Sequence, residues 1–177
     1  MDIKAKLTEE NSRETWQTIA DYVGDNEERL AEVMELYFGD DIRLVQRSSQ
    51  VVSKICNRKV AMVRPYLIEM VNGLSTNPVD AFKRNTLRTF QTSEIPEEVE
   101  GELFDHCIEY LKSMDEAIAI KAFGMTVARR ICERYPELAD EVILPVEILI
   151  SENYSAGVVN RGKKELKKLL KLRESIS

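Results

Sequence analysis

Met62-Val-Arg-Pro-Tyr-Leu-Ile-Glu-Met-Val71, followed across a polar break by Asn77-Pro-Val-Asp-Ala-Phe-Lys-Arg-Asn-Thr-Leu87, is the stretch that decides the fold, because it returns. Val142-Ile-Leu-Pro-Val-Glu-Ile-Leu-Ile150 is followed in the same way by a break at Ser151-Glu-Asn153 and then by Val159-Asn-Arg161. Pro65 and Pro145 lie 80 residues apart, and Phe104 to Leu111, near the midpoint, reads as a third copy without the proline. Basic residues fall in phase with it: Arg47, Arg84, Lys121 and Arg161, at intervals of 37, 37 and 40 residues. A period in this range marks stacked helical hairpins, each burying its apolar face against the next.

Outward from this repeat, nine helical segments can be drawn. Ser12 or a neighbour caps the first, which uses Trp16, Ile19, Ala20 and Val23 and ends at Gly24. Asn26 caps the second, with Leu30, Val33, Met34, Tyr37 and Phe38 inward, stopped by Gly39. The third starts near Asp40 or Asp41 and carries Ser48 and Ser49, small enough for another helix to approach closely. The fourth, from about Val60 to Leu74, contains Pro65 and is expected to bend there, as its counterpart does at Pro145. Asn77-Pro78 starts the fifth with Pro78 at its first position. Val99 to Leu111 is the sixth, Asp115 caps the seventh, Tyr135-Pro136 opens the eighth, and the ninth runs through Leu166, Leu169 and Leu170. The breaks are mostly two to five residues, so successive helices are antiparallel neighbours. No period-two strand pattern appears.

Composition agrees with an all-α chain: seven glycines and five prolines in 177 residues leave long stretches uninterrupted. No run of eighteen apolar residues and no leader segment is evident, so a cytoplasmic location without membrane contact is expected. Cys56, Cys107 and Cys132 are three in number, lack CxxC spacing and sit among apolar residues, which reads as reduced, buried thiols. The net charge of −6 argues against nonspecific nucleic-acid binding, but the charge is segregated. Twelve acids and four bases fall in residues 1–41; Arg43, Arg47, Lys54, Arg58, Lys59 and Arg64 follow with no acid before Glu69; seven bases and one acid fall between Arg161 and Arg173. Whether the basic segments 43–64 and 161–173 form one patch is not written in the sequence, nor is the oligomeric state.

The residues quoted above resemble HEAT-like repeats of the armadillo superhelix class. There an apolar helix with a proline precedes a helix in which an acid stands six positions before a base. Asp41 and Arg47 match that spacing, as do Asp115 and Lys121; Arg84 has Pro78 at the acidic position and Asp80 four residues before it, and Arg161 has Ser155. The resemblance implies a right-handed α-α superhelix of about four hairpins in a single domain 1–177. Residues 1–39 would form an acidic capping hairpin, 40–172 the repeats and 173–177 a tail. It also implies that Asp41, Arg47, Arg84, Asp115, Lys121 and Arg161 tie one repeat to the next through acid–base pairs.

For function, the sequence offers no Walker loop, no GxGxxG after a strand, no HExxH, no GxSxG and no swivelling Ser-Ser-x-Met-Pro loop. His106 and Cys107 diverge by about 100° on a helix and do not face each other; Cys107 is assigned to the core and His106 to the surface. No catalytic residue, metal site or cofactor is expected. The leading reading is a noncatalytic module that binds a protein partner through its second helices. Met62, Tyr66 and Glu69 are one candidate stripe, Glu102, His106 and Glu109 another, with Tyr66 and Met62 as the apolar anchor. The alternative is a HEAT-like nucleic-acid-binding protein related to DNA repair, against which the mixed-to-acidic stripe counts; an enzyme of another type is the third reading.

Overall fold

The structure, a computed structural model, describes residues 1–176; Ser177, the last residue of the expected tail, lies outside them. Helices account for nearly all of it, and no strand occurs among the described residues. Two compact units divide the chain, Met1–Pro96 and Glu97–Ser177.

The first unit contains α1 (Ile3–Glu9), α2 (Arg13–Val23), α3 (Glu27–Tyr37), α4 (Ile42–Lys59), a 3-10 segment (Val60–Tyr66), α5 (Leu67–Thr76) and α6 (Asp80–Phe90). Its first four helices start at short polar side chains. Asp2, Ser12, Asn26 and Asp41 each accept a hydrogen bond from a backbone amide two or three residues on, filling donors that a helix start leaves open. The 18-residue α4 is the spine, packing against α1, α2, α3 and α6. Ser48 and Ser49 are fully buried in it, each returning its hydroxyl to the Val45 carbonyl.

Two expectations need revision here. Helix α1 was not foreseen: Ile3 and Leu7, one turn apart, are buried, and α1 packs against α2, α3 and α4. Residues 1–39 therefore hold three helices and not one hairpin. The segment around Pro65 is not one bent helix either. Residues 60–66 wind as a 3-10 turn and the α-helix begins only at Leu67, after the proline. Pro145, by contrast, sits inside a continuous α-helix, so the two prolines are not equivalent.

An aromatic cluster closes the unit's core. Tyr37 and Phe82 stack at 4.5 Å between ring centroids, and the Tyr37 hydroxyl lies 2.6 Å from Thr86 Oγ1 and donates to the Phe82 carbonyl at 3.2 Å. Gly73 of α5 makes this packing possible: a Cβ there would run into the Phe82 ring at Cζ.

The second unit contains α7 (Glu97–Lys112), α8 (Ile118–Cys132), a 3-10 turn (Pro136–Leu138), α9 (Ala139–Ser151) and α10 (Ala156–Glu174). Helices α7 and α8 pair, as do α9 and α10, and α10 also packs along α8. Glu165, the one acid in the basic run of α10, is buried against α8, accepting from Arg129 Nε at 2.9 Å and Thr126 Oγ1 at 3.1 Å. Asp115 does not cap α8, which starts at Ile118. Pro78 likewise precedes α6 by two residues; Asn77 accepts from the Val79 amide and so turns the chain before the helix begins.

Candidate functional site

Two of the in-phase basic residues, Arg47 and Lys121, close helix ends through backbone carbonyls. Arg47 donates to the carbonyls of Leu7 and Thr8, the open C-terminal end of α1. Lys121, fully buried, donates to the carbonyls of Tyr110 at 3.0 Å, Leu111 at 3.3 Å and Ser113 at the end of α7. A cation there completes hydrogen bonds that the helix cannot make and meets the negative end of its dipole. Burial pulls the Lys121 ammonium below its ordinary pKa, and neighbouring Glu116 opposes that shift. Arg161 donates to Thr126 Oγ1 at 2.7 Å, beside buried Glu165. Arg84 is half-buried on α6. The acids expected to complete the ladder have other roles: Asp41 caps α4, and the amide of Asp115 is held by Ser113 Oγ at 3.3 Å.

Three of the six cations from Arg43 to Arg64 pair with acids of their own unit. Arg58 pairs with Asp21, Lys59 with Asp25 at 2.8 Å, and Arg64 with Glu94; Lys54 donates to Gln17 at 3.0 Å. Arg58 is the main reason the Asp21 carboxyl lies below the usual carboxylate range. Charge reversal along the sequence thus becomes pairing within the unit, across the α2–α4 contact for Arg58 with Asp21.

Met62 and Tyr66 are half-buried and Glu69 is exposed. The first two line a groove of about 430 Å³, together with Asp25 and Glu27 at the α2–α3 turn, buried Leu30, and Lys59, Ala61, Arg64 and Pro65. The Tyr66 ring rests against Phe38 at 6.4 Å, and Phe38 packs edge-on against Tyr37 and Phe82, so the groove wall is backed by the aromatic core. Glu69 lies outside the lining. Partial burial, followed by the carboxylates of Glu27, Glu69 and Glu35, raises the Tyr66 phenol above its ordinary value. Sequence reasoning named Met62 and Tyr66 but missed Leu30 and the turn residues, because their approach depends on how α3 packs.

The second candidate stripe lies on α7. His106 is not a surface residue: its side chain is 14% exposed, between Glu102 at 3.7 Å and Glu109 at 3.8 Å, with its ring 5.8 Å from that of Tyr110. The imidazole is thus engaged locally, one turn from each carboxylate. Cys107 and Cys132 are buried and Cys56 nearly so; all three are free thiols whose pKa is raised by burial, the reverse of what a nucleophile requires.

A family model for the HEAT repeat domain matches residues 3–169. The chain belongs to the HEAT repeat domain family. The match opens at α1, ahead of residue 40 where the sequence pattern becomes legible, and makes the chain an all-α solenoid. No curated protein and no solved structure matches it. Among the described residues of this HEAT repeat domain, no helix is long and apolar enough to cross a membrane.

Proposed function

We propose that this HEAT repeat domain is a noncatalytic protein-interaction module and that the groove of the first unit receives its partner. The observation that carries this reading is the half-exposed pair Met62 and Tyr66 over buried Leu30 in a groove of about 430 Å³. A partner side chain of apolar or aromatic character fits such a surface, since a few amphipathic anchors supply most binding energy. The wall needs little ordering on binding, because Tyr66 already leans on the ring of Phe38.

Replacing Tyr66 by Ala tests it. The full chain, immobilised, is exposed to extract from its native cells, and bound proteins are quantified against the unsubstituted chain. A fall of tenfold or more in one specific protein, with stability lowered by about 1 kcal/mol or less, is the expected result. Unchanged recovery of every bound protein refutes the groove.

A second reading, nucleic-acid binding, is favoured by one feature: Lys163, Lys164, Lys167 and Lys171 make no ion pair among the described residues and project from α10. Affinity for DNA or RNA falling steeply with salt, and lost when these lysines are replaced by Gln, would place it first.

A further inference from the structure

The second unit carries a cleft unrelated to the Met62–Tyr66 groove. Glu97, Glu100, Gly101, Phe104 and Asp105 of α7 form one side, and Ile131, Tyr135, Leu138 and Glu141 the other, enclosing about 350 Å³. Positions 97, 101, 104 and 105 recur at helical spacing, so one face of α7 supplies that wall. The floor is apolar, with Phe104 and Ile131 buried. Glu97, Asp105 and Glu141 form the rim and make no ion pair among the described residues, while Glu100 is buried and held by Arg134 through both oxygens, at 2.9 and 2.8 Å.

We propose that this cleft takes the lysine or arginine side chain of a basic segment of a partner protein. An aliphatic stem suits the floor and a cation suits the rim, the combination such side chains offer. No three carboxylate, thiol or imidazole groups among the described residues converge as metal ligands. The volume is near the lower limit of small-ligand sites, which matches a side chain and not a helix. Tyr135 supplies an aromatic wall, and its phenol is raised chiefly by the charge of Glu100 and its hydrogen bond to that carboxylate, with Arg134 opposing.

Gly101 gives independent support. It lies inside α7, where glycine is a poor helix former, yet a Cβ added there would meet nothing within 4 Å. Its missing side chain serves no contact with the fold and leaves the cleft open.

The test uses the ¹⁵N-labelled full chain at low salt with two probes, acetyl-Gly-Lys-Leu-Arg-Gly-amide and acetyl-Gly-Glu-Leu-Glu-Gly-amide. Saturable amide shifts centred on Gly101, Phe104, Tyr135 and Leu138 with the basic probe, and none with the acidic one, are expected. Asp105→Asn with Glu141→Gln should weaken binding by up to about fivefold per carboxylate, the limit for partly exposed ion pairs. Gly101→Leu, which favours the helix, should abolish it with the circular dichroism unchanged. Shifts scattered over exposed acids elsewhere, or retained at full affinity in these variants, or absent altogether, overturn the proposal. Concentration-dependent shifts at the same amides without peptide would also overturn it, assigning the cleft to a second copy of the chain.

Discussion

Lys121→Met separates two accounts of the in-phase basic residues. If Lys121 pairs with the acid of its own motif, its partner is Asp115, six positions earlier; if it closes a helix end, its partners are the carbonyls of Tyr110, Leu111 and Ser113. Methionine keeps most of the stem's volume and removes only the donors. Tyr110 and Leu111 are buried, so their carbonyls would lose a partner where water does not readily replace it. An unsatisfied buried acceptor costs about 1–3 kcal/mol. Two of them, less the desolvation that the buried ammonium no longer suffers, give a loss of about 2–4 kcal/mol. The Lys121 contact with the Tyr154 ring, 5.1 Å from nitrogen to centroid, lies within this range of effect.

Urea unfolding followed by circular dichroism measures the loss, with a constant m-value confirming that the denatured state is unchanged. Asp115→Asn is the matched control and should stay within about 0.5 kcal/mol, as exposed substitutions do. The reasoning is refuted if Asp115→Asn costs as much as Lys121→Met, which would restore the acid–base ladder, or if Lys121→Met costs under about 1 kcal/mol.

Two further outcomes follow from buried polar groups. Glu165→Ala takes from the buried Arg129 guanidinium its 2.9 Å partner on α10 and leaves Glu133 as the acid still paired with it, so it should cost about 1–3 kcal/mol; a loss below 1 kcal/mol in the same urea assay would show that α10 is not tied to α8 through this pair. Stability should also fall in alkali. Burial pushes the Cys56 thiol up to about 11 and Cys132 up to about 12, and raises Cys107 as well, from an ordinary 9.0. The folded chain therefore keeps protons that the unfolded chain loses above pH 9. That stability is full below pH 9 and drains as pH rises toward the folded values, at about 1.4 kcal/mol per thiol per pH unit. Three thiols give a fall of about 4 kcal/mol between pH 8 and pH 10, opposed in part by Lys121, whose lowered pKa has the other sign. Cys56→Ala should remove about a third of the slope, and an unchanged slope would mean that this thiol already ionises in the fold.

What the sequence disclosed about the fold was what depends on local periodicity. Ser12, Asn26 and Asp41 cap the helices they were expected to cap, because a side chain two or three residues from an open amide needs no tertiary partner. The hairpin period was legible for the same reason: it lies in spacing. Helix α1 escaped because seven residues with two apolar positions carry little periodic signal, and its stability comes from the contact with α4 and the Arg47 cap, 40 residues away. Pro65 and Pro145 look alike as letters. Only the backbone around them, 3-10 in one case and α-helical in the other, tells them apart.

The candidate sites were legible to the extent that one helix builds them. Met62 and Tyr66 belong to one segment and could be named from it, whereas Leu30 and Asp25 reach the same groove from another helix and a turn. His106 shows the converse failure. Its neighbours Glu102 and Glu109 are its own helical companions at i−4 and i+3, so the pairing follows from spacing alone, but its burial to 14% exposure depends on packing that no spacing encodes. The charge runs illustrate the limit most directly. Six cations between Arg43 and Arg64 invite a nucleic-acid reading, and three of them meet Asp21, Asp25 and Glu94 within the unit while Arg47 closes α1. A charge run in a repeat protein is therefore evidence about a ligand only after the neighbouring hairpin has taken its share, and on α10 it has taken Arg161 and Glu165 but left Lys163, Lys164, Lys167 and Lys171.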